Sequence, residues 1–251
     1  MDIHLSEPGN HIAVITIDNQ PRRNAMTRAM MTELARLWDE LEFSPHRCIV
    51  LTGAGDKAFS SGADLGGDMS AEPEVAAIVS RALLKTSTYP KPIIAAVNGD
   101  CVAGGLELML SSDIRAAAPN ARFGLPEVKW SIYPFGGAAV KLIQQIGHVH
   151  AMELLLGAEL ITARDAAALN LINRVVPTDD LMDWALAKAE RIAANSPTAV
   201  QAVKRQISAT IADHAQSREA MEQALGDEVR NGPHFREGIA AFLQKRTPKY
   251  D

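Results

Sequence analysis

Two glutamates sit where a carboxyl can do acid–base work. Glu107 closes the run Asn98-Gly99-Asp100-Cys101-Val102-Ala103-Gly104-Gly105-Leu106-Glu107, and Glu127 follows the proline of Phe123-Gly124-Leu125-Pro126-Glu127-Val128. A free glutamate has a pKa of roughly 4.3, so one that trades a proton near neutrality needs apolar surroundings that disfavour its charged form. Leu106, Leu108, Leu125 and Val128 are such neighbours. Acids that cap a helix or face solvent are commoner than catalytic ones, and spacing alone does not bring these two together.

Two glycine-bearing bends offer a second kind of chemistry. Ala58-Phe59-Ser60-Ser61-Gly62-Ala63-Asp64-Leu65 and the run that ends at Glu107 each place backbone N–H groups at a tight turn with no side chain in the way. The second bend opens a helix, whose free N–H groups and dipole favour negative charge on a ligand. Amides from two separate loops can form an oxyanion hole, although the commoner fate of Gly-Gly is an ordinary turn.

Other chemistries find little support. Gly53-Ala54-Gly55-Asp56-Lys57-Ala58 matches a dinucleotide fingerprint in form, but Phe59-Ser60-Ser61-Gly62 opens no amphipathic helix and no acid follows at the right remove. Those glycines read as turn punctuation. There is no Walker sequence, HExxH or GxSxG. His148 and His150 are two apart and point to different faces, and no metal site is expected. Cys48 and Cys101 lie in apolar runs and read as buried thiols.

Composition bounds the class. The chain has 251 residues, is 47% hydrophobic and 22% charged, and carries a net charge of −5. That is an ordinary soluble globular protein, without the concentrated basic face that nucleic acid requires. No basic n-region precedes an apolar stretch at Met1-Asp2-Ile3-His4, no apolar run is long enough to span a bilayer, and the chain does not end in a peroxisomal address. The expectation is a cytoplasmic protein with no membrane partner.

The elements that must position the acids come next. Ile12 to Ile17 reads as a strand ending at Asp18-Asn19-Gln20-Pro21, followed by a helix capped by Thr27 with Met30, Met31, Leu34, Leu37, Trp38 and Leu41 on its apolar face. Cys48 to Thr52 and Pro92 to Val97 read as buried strands of a mostly parallel sheet, and Asp113 to Ala118 as another strand. Between them, residues 66–90 predict a mobile loop and one helix. From Gly137 onward the pattern is helical, with helices over 137–146, 148–156, 163–169, 179–195, 198–212, 217–230 and 234–246. Strands early and helices late suggest an α/β core over 1–196 and a helical C-terminal region over 197–251, whose Ala-rich helices can pack against another subunit.

Taken together, these segments resemble the crotonase (enoyl-CoA hydratase/isomerase) superfamily. The match runs through Asp18 to Met26, AFSSGADL at 58–65, KPIIAAVNGDCVAGGLEL at 91–108, SSDIRAAAPNARFGLPEVKW at 111–130 and GIAAFLQKRTP at 238–248. The resemblance implies a spiral of ββα units with a helical C-terminal trimerisation region, assembled as a homo-trimer or a dimer of trimers. It implies an acyl-CoA thioester whose carbonyl is held by the amides of Ala63 and Gly104, with Glu107 and Glu127 as the catalytic acids. Hydratases similar to this sequence carry both glutamates, whereas many isomerases keep only the second. The implied reaction is therefore syn addition of water to a trans-2-enoyl-CoA, with coenzyme A as part of the substrate and no metal or redox cofactor. A Δ3,Δ2-enoyl-CoA isomerase or a specialised acyl-CoA lyase is the alternative, ahead of a non-catalytic acyl-CoA- or RNA-binding member.

The resemblance also implies coenzyme A contacts at Arg22, Arg23, Ala25, Ser61, Asp64, Leu65 and Lys245. Gly66 stands where a phosphate-contacting lysine is common, which leaves Arg22, Arg23 and Lys245 to supply the charge, Lys245 in one arrangement from a neighbouring subunit. Trp130 and Tyr133, on a bulky segment just after Glu127, are expected to border the acyl pocket, with core packing as their ordinary alternative.

Overall fold

The structure, a computed structural model, describes residues 1–9, 11–64 and 73–250. Its strands in chain order are β1 (Asp2–Gly9), β2 (Ile12–Asp18), β3 (Cys48–Gly53), β4 (Ala58–Ser60), β5 (Ile93–Val97), β6 (Asp100–Val102), β7 (Ile114–Ala117), β8 (Arg122–Gly124), β9 (Ile161–Thr162) and β10 (Arg174–Val175). The helices are α1 (Arg28–Phe43), α2 (Pro73–Ala82), α3 (Gly104–Met109), α4 (Ala138–Ile146) and α5 (His148–Gly157). After them come α6 (Ala163–Ala168), α7 (Leu181–Ala193), α8 (Pro197–Asn231) and α9 (Phe235–Leu243).

Two sheets organise the first half. The larger has the order β1-β2-β3-β5-β7-β10, and the smaller has β4-β6-β8-β9. Apart from the antiparallel edge pairs β1 with β2 and β8 with β9, the pairings are parallel. Three times the chain leaves a strand of the large sheet, crosses to the small one and then turns into helix or helical turn: β3 to β4, β5 to β6, β7 to β8. That repetition sets the ends of β4, β6 and β8 side by side, at the roughly 4.8 Å spacing of neighbouring strands.

The large sheet is covered on both faces, which is why its central strands read as unbroken apolar runs. Alternate residues of β2, β3 and β5 go to different sides. Ile15, Ile17, Leu51 and Val97 join Leu34, Leu37 and Trp38 of α1 in one core cluster. Val14, Val50 and Ile94 face the other way, onto Leu181, Ala185 and Ala189 of α7. Each such aliphatic side chain contributes about 1.5–3 kcal/mol when fully buried.

Several boundaries differ from the sequence expectation. The helices predicted at 198–212 and 217–230 are one 35-residue helix, α8. Asp213-His214-Ala215-Gln216 contains no proline or glycine to stop it, and His214 is pinned 2.7 Å from Gln144 of α4. The last helix opens at Phe235 rather than 234, and α7 opens at Leu181 after a short turn at Thr178–Asp180. β1 carries no alternating apolar signal because it is an edge strand that buries only Ile3. Of the segment 66–90, where a mobile loop and one helix are expected, the helix is α2 from Pro73, and residues 66–72 lie outside the described residues. Both cysteines are buried free thiols. Among the described residues no helix is long and apolar enough to cross a membrane.

Candidate active site

The two bends and two glutamates all leave the small sheet at the same end. Ser60 to Asp64 follows β4, Ala103 to Glu107 follows β6, and Pro126-Glu127 follows β8. Parallel pairing of β4 with β6 and of β6 with β8 is what unites segments separated by over sixty residues (~60) in the chain. Ligands of open parallel sheets gather at such carboxyl ends.

The bends touch. Gly62 has φ +88 and lies so close to the next loop that a Cβ there would stand 2.7 Å from the Gly104 nitrogen. A Cβ on Gly104 would stand 3.4 Å from Gly62 Cα and 3.6 Å from the Ala63 nitrogen. A side chain at Gly105 would strike the backbone of Ser60, so the helix α3 can start here only with glycine. Ala103, just before, holds φ 51. Met26 fixes the first bend from the other side: its N–H donates to the Gly62 carbonyl at 2.8 Å and its carbonyl accepts from Asp64 N–H at 3.0 Å. The N–H groups of Ala63 and Gly104 have no acceptor among the described residues.

Glu107 and Glu127 are 4% and 7% exposed, values at which an unpaired carboxylate is costly. Glu107 Oε1 accepts from the Ala138 N–H at 3.2 Å, at the start of α4, and the Gly136 amide also faces it. Gly136 packs directly on this carboxyl, leaving no space for a side chain. Burial, the largest cause, raises the Glu107 pKa to about 7, opposed by those amides and by the positive charge of Lys141. Glu127 Oε2 has no hydrogen-bond partner. Burial first and the Glu107 charge second raise its pKa to about 8. The two carboxyls therefore titrate as a coupled pair, each held above the ordinary carboxylate range by burial.

Of the residues expected to contact coenzyme A, Arg22, Arg23, Ala25, Ser61 and Asp64 lie together. Arg22 Nη1 donates to both oxygens of Asp64 at 2.6 Å, Arg23 Nη1 donates to Asp100 at 2.9 Å, and Ser61 Oγ donates to the Arg22 carbonyl at 3.1 Å. Ala25 is buried within the same turn, its N–H bonded to the Arg22 carbonyl. Leu65 and Gly66 lie outside the described residues. Lys245 is exposed just past α9, with φ 54, and makes no side-chain hydrogen bond or ion pair among the described residues.

The two aromatics part company. Tyr133 packs edge-on against Phe135 at 5.7 Å, and burial first, then the charges of Glu222 and Glu107, raise the pKa of its hydroxyl. Trp130 instead stacks edge-on against Phe242 of α9 at 5.3 Å, and its carbonyl lies against Gly238. Two surface clefts lie elsewhere: one of about 410 Å³ beside Thr52 and Leu181, and one of about 790 Å³ beside His234 and Arg246. Neither contains an acid of the pair, so chemistry rather than concavity locates this site. Lys85, Lys141 and Glu222, which approach Glu107 from behind Gly136-Gly137, were not foreseen from sequence. The available signal was a lysine inside the apolar helix Ala138-Ala139-Val140-Lys141-Leu142-Ile143.

Two buried carboxyls, and two amides with no acceptor among the described residues, thus stand together on a repeated ββα frame. The chain belongs to the crotonase superfamily: residues 7–251 match the enoyl-CoA hydratase/isomerase family. It is most like the hydratases. An enoyl-CoA hydratase of Mycobacterium tuberculosis is 38% identical over 98% of this chain and 95% of its own length. The short-chain-enoyl-CoA hydratase of Clostridium acetobutylicum is 33% identical, covering 96% and 95%. The crystal structure of carnitinyl-CoA hydratase from Mycobacterium avium superposes with a TM-score of 0.90 at 36% identity, covering 99% of this chain and 98% of that one.

Proposed function

We propose that the chain hydrates a trans-2-enoyl-CoA thioester by syn addition of water. The observation that carries this reading is the unequal pair: two buried carboxyls, one accepting a backbone N–H and the other with an oxygen that has no partner, next to two N–H groups with no acceptor among the described residues. Hydration needs one group to take a proton and another to give one. The Glu107 carboxylate, supported by backbone donors, holds the water and accepts its proton as oxygen bonds to C3. The protonated Glu127 delivers a proton to C2. As the C2–C3 π electrons shift, negative charge collects on the thioester oxygen, where the N–H groups of Ala63 and Gly104 receive it. Protein groups meet the whole electronic demand of this sequence, with no cofactor in any step.

Arg22 and Arg23 lie on the rim of the Ser60–Asp64 bend, half exposed, and are assigned to the coenzyme A phosphates together with Lys245. Their ion pairs with Asp64 and Asp100 must open or be shared when a phosphate arrives. The likeness to relatives supports hydration as the common chemistry, since their names differ in acyl group and agree in the reaction. The trimer or dimer of trimers that the resemblance implies would cover apolar side chains left exposed on α5 (Val149, Leu156) and α8 (Val203, Ile207). Light scattering that finds a stable monomer at micromolar concentration overturns the assembly.

The reaction is tested with a panel of enoyl-CoA esters of increasing length and branching. Loss of the conjugated enoyl absorbance with formation of the 3-hydroxyacyl-CoA is the expected result. Double-bond migration without hydration would assign the isomerase reaction instead.

A further inference from the structure

Four buried ionisable groups from four parts of the chain meet around the Gly136-Gly137 pair. Lys85 follows α2, Glu107 lies in α3, Lys141 in α4 and Glu222 in α8, and they are 6%, 4%, 4% and 3% exposed. Gly136 packs on the Glu107 carboxyl, while a Cβ on Gly137 would stand 3.3 Å from Lys85 Cγ and 3.6 Å from Lys141 Cε. Lys85 Nζ lies 2.8 Å from Glu222 Oε2 and 3.0 Å from Glu219 Oε2. Lys141 Nζ donates to the Leu84 carbonyl at 2.6 Å and to Ser111 Oγ at 2.7 Å.

Packing does not explain these charges. Replacing buried ions by apolar groups of similar volume is often neutral or stabilising, so a lysine in the apolar face of α4 is costly to keep. Its Nζ uses two of its three N–H groups among the described residues. Both carboxylate oxygens of Glu222 lack a well-aligned donor, although Lys85 is in ion-pair range. What the two side chains share is a place at the Gly136-Gly137 pair that packs on Glu107, Lys141 directly against Gly137 and Glu222 through its ion pair with Lys85; there the Glu222 charge opposes the Glu107 carboxylate and the Lys141 charge favours it.

We propose that Lys141 of α4 and Glu222 of α8 are positioning residues of the reaction, acting on Glu107 as two buried charges of opposite sign. The proposal rests on the hydratase reading for its kinetic consequence. Glu107 is faced by Glu127 from the turn Pro126–Trp130, by Tyr133 from the segment after it, by Lys141 and by Glu222. Behind these, Lys85 and Glu219 face Glu222, while Arg115 of β7 and Lys85 act on Lys141. In a poorly hydrated interior such charges act with little screening. Burial brings the Lys141 pKa down to about 7, so the ammonium is partly present where Glu107 titrates and fully present below it. The C-terminal helix thereby supplies a charge to the reaction as well as a cover.

Opposite signs make the test decisive. The acid limb of the kcat/KM profile with crotonyl-CoA reports the group that must be ionised, here Glu107. Glu222→Gln removes a negative charge and moves that limb down by about 0.5–1 pH unit, and Lys141→Met moves it up by a similar amount. Lys141→Arg, which restores the charge, returns the limb toward wild type. The same carboxyl is followed without turnover by infrared titration of the ligand-free protein, using the carboxylic-acid stretch that Glu107→Gln abolishes. Its midpoint shifts in the same two directions. Shifts of one sign in both variants, or none in a folded Glu222→Gln protein, overturn the proposal. If Lys141→Met does not fold, the Glu222→Gln shift decides alone. Should the wild type prove unable to hydrate, the hydratase reading falls and the infrared titration still settles the role of the two charges.

Discussion

The settings of Glu107 and Glu127 differ in one respect that decides what each can do. Glu107 lies where α4 begins, so a backbone N–H donates to it and a buried ammonium lies near. Glu127 has an oxygen with no donor and a neighbouring carboxylate instead. Both are buried to a similar degree, and burial pushes both pKa values up. Two backbone donors and an ammonium then tolerate charge on the first, while a single backbone donor and a like charge favour the neutral acid at the second. The backbone around them thus gives two residues of one type unequal tolerance of charge, which is the division that the proposed base and acid require.

The largest effect comes from removing either member. Glu127→Gln and Glu107→Gln each lower hydration by about 10²–10⁴, with little change in affinity for coenzyme A esters. The double variant loses much less than the product, because groups acting as a unit are not additive. Steady-state kinetics with calorimetric binding checks this, and wild-type hydration in Glu107→Gln would remove the base from the scheme.

Next come the amides. Gly104→Pro deletes one free N–H at the first position of α3, where proline is otherwise tolerated. Turnover should fall by about 10²–10³. Thermal unfolding measured beside it should move far less than that loss implies, and full activity in the folded variant would free Gly104 from its assignment.

A smaller effect is expected at Gly136. A methyl group there runs into the Glu107 carboxyl, so Gly136→Ala should displace the base from its Ala138 donor and reduce kcat by about 10–10² while leaving KM nearly unchanged. If KM rises and kcat holds, Gly136 shapes the substrate pocket and not the carboxyl.

Much of this arrangement was legible in the sequence, for physical reasons that also mark where legibility stops. Glycine at 62, 104 and 105 announces close backbone approach, and the structure shows the two bends touching. The acids stood out by their apolar neighbours. The strands that join them did not, because β4, β6 and β8 are three residues each, too short to show a period. The unity of α8 was hidden by a polar stretch around His214, whose partner is seventy positions away. Lys141 and Glu222 were illegible for the same reason: a buried charge is recognised by what it meets, and Glu222 meets Lys85 only after α8 has docked.

The last and smallest effect is on stability, and it tests the contrast between the two acids without any substrate. Glu127 has a pKa of about 8 in the folded protein against roughly 4.3 when unfolded, so the folded state binds its proton more tightly. The resulting contribution to stability is fully present below the unfolded pKa and is lost as pH rises through about 8. Glutamine cannot ionise, so Glu127→Gln should be more stable than wild type at about pH 9, by about 1–3 kcal/mol, the usual penalty of a buried group left unsatisfied. At about pH 4, where the glutamate is protonated in both states, the gain should vanish. Glu107→Gln should gain less at alkaline pH, because the Ala138 and Gly136 N–H groups already offset part of the cost of that carboxylate. Urea unfolding at fixed protein concentration measures all three proteins. Equal gains for the two variants, or a larger one for Glu107→Gln, would show that the donors at the start of α4 are not what separates base from acid.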